Sequence, residues 1–218
     1  MKLAVFDVDG TLMDSQALIV GAMDFAFQTV GLAPLPRETV LSIVGLSLPQ
    51  AVAALAPDQP PERQAAIAQG YRHAYMTGRT GNEPPLYPGA RECLESLAAR
   101  DDLLLAVATG KSRRGLDAAL AAHGLDAMFI SLQTADFHPS KPHPAMLMAA
   151  LDDAGVGPES AIMVGDTSFD MQMAQAAGVP GWGVGWGYHP VQALHGAGAV
   201  RVDDDFATLA RAIGEWAA

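Results

Sequence analysis

The sequence predicts a doubly wound, parallel, Rossmann-like α/β sheet that carries an inserted all-helical cap domain. The first observation behind this fold class is the alternation of short apolar runs with amphipathic, helix-like segments along most of the chain. The second is that the apolar runs are unbroken, as is typical of parallel strands covered by helices on both faces. The third is a single long interval, residues 15–85, in which this alternation stops.

Five apolar runs have the length and composition of buried strands. They occupy residues 3–7, 103–109, 128–132, 161–165 and 181–185. Four further segments have apolar residues at helical spacing, and they occupy residues 90–100, 113–123, 144–155 and 169–178. Strands that alternate with helices in this way indicate parallel strands within one sheet.

The interval after the first strand contains only helical patterns. They are interrupted by proline-rich and glycine-rich stretches, LAPLP, ALAPDQPPE and TGRTGNEPP. The segment EPPLYPG at 83–89 has the composition of a linker that returns the chain to the sheet. We therefore expect a helical cap domain over residues 15–85 and a catalytic core domain made of residues 1–14 and 86–218.

The composition favours a globular chain and argues against several partners. Half of the 218 residues are apolar and 17% are charged, which favours a sizeable core over disorder. The formal net charge of −11 argues against a general nucleic-acid binder, because phosphate backbones need a basic surface. Cys93 is the single cysteine, and no apolar run reaches the length of a membrane span. We expect a soluble cytoplasmic protein, monomeric or homodimeric, that binds neither nucleic acid nor membrane.

Chemically active residues stand at the ends of the predicted strands, where open parallel sheets place their functional groups. Asp7 and Asp9 come at the end of the first strand, and Thr109 ends the second. Lys141 follows the third predicted strand after a short loop, and Asp166 directly follows the fourth. Separate stretches of chain thus bring three carboxylates, a hydroxyl and an ammonium group to one edge of the sheet.

Three carboxylates at one edge would repel one another, and burial would raise their pKa values. Mg²⁺ removes this conflict because it prefers carboxylate, carbonyl and water oxygens, and it favours a phosphorylated substrate. Asp166 would be the second carboxylate of such a metal site, after Asp7. Asp170, four residues further on, is also counted among the metal-site residues, together with Asp7, Asp9 and Asp166, and would hold either the waters of the metal or Lys141.

The remaining roles follow from the same arrangement. Asp7 can attack phosphorus as a nucleophile and form an aspartyl phosphate. Asp9 can protonate the leaving oxygen and then activate water as a general base. Thr109 can donate a hydrogen bond to a phosphoryl oxygen, and Lys141 can neutralise the charge that builds there. Gly10 lets the backbone turn sharply beside the phosphate.

These residues resemble the four motifs of the haloacid-dehalogenase-like superfamily of phosphohydrolases. The motifs appear in order as DVDGT at 7–11, ATG at 108–110, SKP at 140–142 and GDTSFD at 165–170. The resemblance spans essentially the whole chain, since one subgroup carries a small helical cap after the first motif. It implies the same roles for Asp7, Asp9, Thr109 and Lys141, and it implies Mg²⁺ bound by Asp166 and by the backbone carbonyl of Asp9.

Within that superfamily the chain most resembles phosphoglycolate phosphatases and their relatives, through VGLSLPQAV, YPGARECLESL and WGYHP. We expect Thr109, Gly110, Lys111 and Lys141 to bind the substrate. Members of the subgroup often have asparagine and lysine after the serine or threonine, whereas Gly110 stands here in place of asparagine. The missing side chain leaves the preferred substrate open.

Residues of the predicted cap allow two interpretations. Arg72, His73 and Arg79 could bind a carboxylate of the substrate, but a solvated helix face is the better explanation of them. Ser15 is expected at the N-cap of the first cap helix.

The leading hypothesis is a Mg²⁺-dependent phosphatase that acts on a small phosphorylated metabolite such as phosphoglycolate. Within the same superfamily the alternatives are a pyrophosphatase, a hexose-phosphate mutase and a dehalogenase, and Asp9 counts against the last. A signalling receiver module, in which a phosphorylated aspartate is not turned over, is the alternative from another class. The receiver is disfavoured by Asp9 and by the helical insert.

Overall fold

The computed structural model describes residues 1–79 and 83–218, without the side chain of Arg79. Within these residues a six-stranded parallel sheet forms, in the order β3-β2-β1-β4-β5-β6. The strands are β1 (Lys2–Phe6), β2 (Leu103–Thr109), β3 (Ser131–Thr134), β4 (Ala161–Gly165), β5 (Gly181–Val184) and β6 (Ala199–Asp203). Strand β1 lies at the centre, where Val5 is in register with Ala106 of β2 and with Met163 of β4. The strand order reverses on either side of β1, so the doubly wound fold is confirmed.

Helices cover both faces of this sheet. They are α5 (Ala90–Ala98), α6 (Arg113–His123), α7 (Ala145–Ala154), α8 (Ser168–Ala176), α9 (Val191–Gly196) and α10 (Phe206–Ala217). Successive side chains of β1 point to opposite faces. Phe6 packs in a cluster with residues of α5, α6 and α10, whereas Val5 packs in a second cluster with residues of α7 and α8. This burial on both faces explains why the central strands read as unbroken apolar runs.

Parts of the sheet differ from the sequence prediction, both at its edges and at the central strand. Strand β6 was not predicted, because its sequence AVRVD alternates polar and apolar residues and is only partly buried. Strand β3 begins at Ser131 rather than at residue 128, since Asp126–Met128 form a short 3-10 turn before it. Strand β1 ends at Phe6, so Asp7 lies just beyond the strand rather than inside it.

Between β1 and α5 the described chain contains only helices. They are α1 (Gln16–Thr29), α2 (Arg37–Leu41), α3 (Leu48–Leu55) and α4 (Pro61–Arg79). These helices have a hydrophobic cluster of their own, which includes Met23, Val52 and Ile67. The entering and returning segments run side by side, since Tyr87 donates its backbone N–H to the Leu12 carbonyl at 3.0 Å. Both features support our proposal of a cap over residues 15–85, a range that includes the positions outside the described residues.

None of the helices in the described part of the chain is long and apolar enough to cross a membrane.

Candidate active site

Asp7 and Lys141 form a buried ion pair at the carboxyl end of the central strand. Asp7 still donates its backbone N–H to the Val164 carbonyl of β4 at 2.9 Å, so the sheet fixes its position. The Lys141 ammonium lies 2.9 Å from Oδ2 of Asp7, and the two side chains are 0% and 2% exposed. The structure therefore brings together two residues that the sequence placed at separate strand ends.

Asp166 lies directly after β4 and next to this pair. Its Oδ1 accepts a hydrogen bond from the Thr11 hydroxyl at 2.8 Å, and its Oδ2 accepts one from the Tyr188 backbone N–H at 2.9 Å. A Cβ atom on Gly10 would lie 2.2 Å from Oδ2 of Asp166, and one on Gly187 would lie 2.1 Å from its Cβ. Gly10 also has a positive φ of 86°. Gly10 is thus required for two reasons: it adopts the positive φ of the turn, and it leaves the space that the Asp166 side chain occupies.

Asp170 is held entirely by protein donors. Its Oδ2 accepts hydrogen bonds from the backbone N–H and the hydroxyl of Thr167, at 3.0 and 2.7 Å, in a capping box at the start of α8. Its Oδ1 accepts from the Lys141 ammonium at 2.6 Å. Of the two roles expected from the sequence, the contact with Lys141 is the one present in the structure.

Three buried carboxylates nevertheless converge here. Asp7, Asp166 and Asp170 each have an oxygen within 4.8 Å of the others. Burial, only partly offset by Lys141, raises the pKa of Asp7 to about 6, and burial together with Asp170 and Asp7 raises that of Asp166 well above its usual range. Burial alone would lower the pKa of Lys141, but Asp170 and Asp7 outweigh it and raise that pKa. Such a set of hard oxygen donors, strained by mutual repulsion, suits a divalent cation such as Mg²⁺.

Asp9 stands apart from this carboxylate cluster. Both of its carboxylate oxygens lie 2.8 Å from the Lys111 ammonium, which also lies 2.7 Å from the Tyr75 hydroxyl of α4. The Ser15 hydroxyl donates to Oδ1 of Asp9 and makes no capping hydrogen bond, so Ser15 occupies the expected N-cap position without the expected role. Asp9 is therefore held by the Lys111 ammonium of the core, and this ammonium group is in turn in contact with Tyr75 of the cap.

Thr109 and Gly110 lie where β2 ends and the cap approaches the core. Thr109 is 1% exposed. A Cβ atom on Gly110 would lie 2.5 Å from the Gly45 carbonyl oxygen and 2.8 Å from that of Leu46. Beside this contact, the Ser47 backbone N–H donates to the Ser140 hydroxyl at 2.7 Å. The absence of a side chain at Gly110 therefore leaves room for the loop between α2 and α3.

A cavity of about 510 Å³ lies between the sheet edge and the cap helices. On the core side Asp7, Asp9, Thr109, Gly110 and Lys111 line it. On the cap side Arg72 lines it, whereas His73 does not and the side chain of Arg79 lies outside the described residues. Five of the sequence-predicted residues thus open onto one cavity, whereas Lys141, Asp166 and Asp170 do not line it.

Four contributors to the site had no role in the sequence interpretation: Thr11, Tyr75, Ser140 and the backbone of Tyr188. Thr11 lies inside the DVDGT motif, so the motif itself could have pointed to it. Ser140 lies inside the SKP motif, which could have pointed to it in the same way. Tyr75 acts through a contact between cap and core, for which the sequence contains no spacing signal.

The fold and this arrangement define a class of protein, a Rossmann-like α/β enzyme with an aspartate at the end of the central strand and a helical insert after it. The chain belongs to the haloacid dehalogenase-like hydrolase family, whose model matches residues 4–184.

Individual relatives agree with this assignment. The chain is 34% identical to a probable phosphatase, IndB, of Dickeya dadantii, over 95% of this chain and 91% of the relative. It is 35% identical to a phosphoglycolate phosphatase of Rhodospirillum rubrum, over 99% and 90% of the two chains. Among solved structures, a hydrolase from Pseudomonas syringae matches with a TM-score of 0.89 at 27% identity, over 100% of both chains. The protein is accordingly a hydrolase of phosphoric monoesters.

Proposed function

We propose that the protein is a Mg²⁺-dependent phosphatase that hydrolyses a small phosphomonoester through an aspartyl phosphate on Asp7. The observation that carries this proposal is the buried Asp7, fixed by the sheet and by Lys141, beside Asp166 and below the cavity. A carboxylate held in this way is aligned for attack on a phosphoryl group that enters from the cavity.

Two steps complete the reaction. In the first, an oxygen of Asp7 attacks phosphorus, the bond between phosphorus and the leaving oxygen breaks, and Asp9 gives its proton to the departing alcohol. In the second, Asp9 takes a proton from water, the resulting oxygen attacks phosphorus, and the bond to Asp7 breaks to release phosphate. Thr109 donates a hydrogen bond to a phosphoryl oxygen, and Lys141 offsets the charge on the phosphoryl group.

Asp7 and Asp166 would hold Mg²⁺, together with the backbone carbonyl of Asp9 that the family resemblance implies. When bound, the cation neutralises the carboxylates and the phosphoryl oxygens. Asp170 uses both oxygens on Lys141 and Thr167, so we assign it to the positioning of Lys141 rather than to direct metal binding.

Phosphoglycolate is the first compound to test, because relatives such as the Rhodospirillum rubrum protein are named for it. We expect the substrate to be a small phosphorylated metabolite. The cytoplasmic location and the monomeric or homodimeric state expected from the sequence stay predictions.

The test is phosphate release from 2-phosphoglycolate, hexose phosphates and pyrophosphate, with and without Mg²⁺. We expect metal-dependent turnover that Asp7→Asn abolishes. Asp152→Asn, at an exposed position of α7, is the matched control and should retain full activity. Absence of turnover with every compound would contradict the proposal, and a long-lived phosphoprotein would point to a mutase or a signalling role instead.

A further inference from the structure

The cavity above Asp7 is large for a substrate with two carbon atoms. Its volume of about 510 Å³ falls within the range of roughly 300–1,000 Å³ that is usual for sites that bind drug-sized ligands. Phosphoglycolate would place its phosphoryl group at Asp7 and leave most of this volume unfilled. The dimensions therefore leave room for a larger organic group on the phosphate.

The cap side of the cavity is largely apolar. It is formed by α1, by the loop between α2 and α3, by the start of α3 and by the end of α4. The apolar side chains that line it include those of Met23, Ile43, Val44, Leu46, Leu48 and Met76. Contact with such a surface stabilises a bound apolar group, because both surfaces leave water.

Two polar groups on the cap side are engaged with the core, and the side chains of Tyr71 and Arg72 also line the cavity. The Tyr75 hydroxyl lies 2.7 Å from the Lys111 ammonium, and the Ser47 backbone N–H donates to Ser140. The guanidinium of Arg72 belongs to an exposed residue. A sugar placed against the apolar side chains would lose the hydrogen bonds of its hydroxyls with water and would find no replacement among those side chains.

We propose that the preferred substrate is a phosphomonoester with an apolar organic group larger than two carbons, bound against Met23, Ile43, Val44, Leu46, Leu48 and Met76. This inference rests on the proposed phosphatase activity and narrows its substrate class. The chemistry at Asp7 is unchanged, and the apolar group contributes through binding alone.

A series of n-alkyl phosphates from ethyl to hexyl phosphate tests this proposal, since the leaving alcohols have similar acidity and differ in apolar length. We expect kcat/KM to rise about fourfold for each added CH₂ group until the chain fills the cavity. The gain should appear mainly as a lower KM, because the added contacts are made equally in the bound substrate and in the transition state.

Met76→Gln is the matched variant, because glutamine has nearly the shape of methionine but carries a polar amide. It should flatten the dependence on chain length and lower kcat/KM for hexyl phosphate more than for ethyl phosphate. Met148→Gln is the control, since Met148 is 52% exposed on α7 and does not line the cavity. This control should retain the wild-type slope.

The outcomes separate this inference from the proposed function. A kcat/KM that is flat or falls with chain length in the wild-type protein, or that is highest for phosphoglycolate or a hexose phosphate, would overturn the apolar substrate class and leave the phosphatase intact. No phosphate release from any compound would overturn both. The wild-type series decides the question even if Met76→Gln does not fold.

Discussion

The ammonium nitrogen of Lys111 lies 2.8 Å from each carboxylate oxygen of Asp9. The lysine side chain is 6% exposed. Burial alone would lower the pKa of Lys111, but Asp9 and Tyr75 together outweigh burial and raise it. Lys111 is therefore charged in the folded protein and fixes the orientation of the proposed general acid. Because Tyr75 of the cap binds the same ammonium group, the placement of the cap and the orientation of Asp9 are linked.

We expect Lys111→Met to lower kcat/KM by about 10–150-fold, since hydrogen bonds to charged groups contribute about 1.5–3 kcal/mol each. Lys111→Arg, which keeps the charge, should retain more activity than Lys111→Met. Steady-state phosphate release at saturating Mg²⁺ measures both. The control is Arg113→Met, which removes an exposed ion pair with Asp117 and should have little effect. Equal activity of Lys111→Met and the wild type would rule out this role.

The link to the cap has its own test in Tyr75→Phe, which removes the hydroxyl and keeps the ring. A neutral hydroxyl contributes about 0.5–1.5 kcal/mol, so we expect kcat/KM to fall by about 2–12-fold. If Tyr75 acts through Lys111, the same change in the Lys111→Met background should have no further effect. An effect of equal size in both backgrounds would show that the two residues act independently.

Gly110 should tolerate no side chain. A Cβ atom at this position would lie 2.5 Å from the Gly45 carbonyl oxygen, which is closer than any relaxed contact, so Gly110→Ala must displace the loop of the cap. Forced overpacking costs about 1–3 kcal/mol, and we expect kcat/KM to fall by about 5–150-fold. Gly196→Ala is the control, because a Cβ there would meet no atom within 4 Å. Kinetics and thermal midpoints of both variants decide the outcome, and wild-type kinetics for Gly110→Ala would contradict the close contact.

The sequence was informative wherever burial left a strong pattern. Strands β2 and β4 were predicted with the bounds that the structure has, because central parallel strands are apolar throughout. Strand β6 was missed because an edge strand needs fewer apolar residues. The catalytic candidates followed from the strands, since the ends of parallel strands meet at one edge and the motifs lie at those ends.

The contacts between cap and core could not be predicted from the sequence. The approach of Gly45 to Gly110 depends on how the helical insert packs on the sheet, and no spacing in the chain encodes that distance. The same applies to Tyr75 and Lys111, which are separated by 36 positions. For Asp170 the spacing from Asp166 was compatible with metal binding, and only the hydrogen bonds showed that its oxygens are occupied.

The raised pKa of Asp7 predicts a pH-dependent effect of Mg²⁺ on stability. In the metal-free folded protein this pKa is about 6, against an ordinary value of 3.8, so the folded state binds a proton more tightly than the unfolded state. Stability without metal therefore falls as pH rises from about 4 to about 6. Mg²⁺ needs the ionised carboxylate, so the increase in Tm that it causes should be large at pH about 8 and small at pH about 5.

Thermal unfolding with and without Mg²⁺ across this pH range provides the measurement. A monovalent salt at matched ionic strength is the control, since screening alone should produce no such pH dependence. An increase in Tm that is the same at both pH values would show that protons and metal do not compete for these carboxylates.

Asp166 and Asp170 should differ in how their substitution affects the metal. Asp166 is buried among the carboxylates and accepts one hydrogen bond on each oxygen, whereas Asp170 binds Lys141 with one oxygen and Thr167 twice with the other. We expect Asp166→Asn to raise the Mg²⁺ concentration for half-maximal activity more than tenfold, because a charged ligand is lost. Asp170→Asn should lower kcat by about 10–100-fold through a misplaced Lys141 and leave the Mg²⁺ requirement nearly unchanged. Phosphate release titrated with Mg²⁺ distinguishes the two, and an equal rise in the Mg²⁺ requirement for both variants would make Asp170 a metal ligand after all.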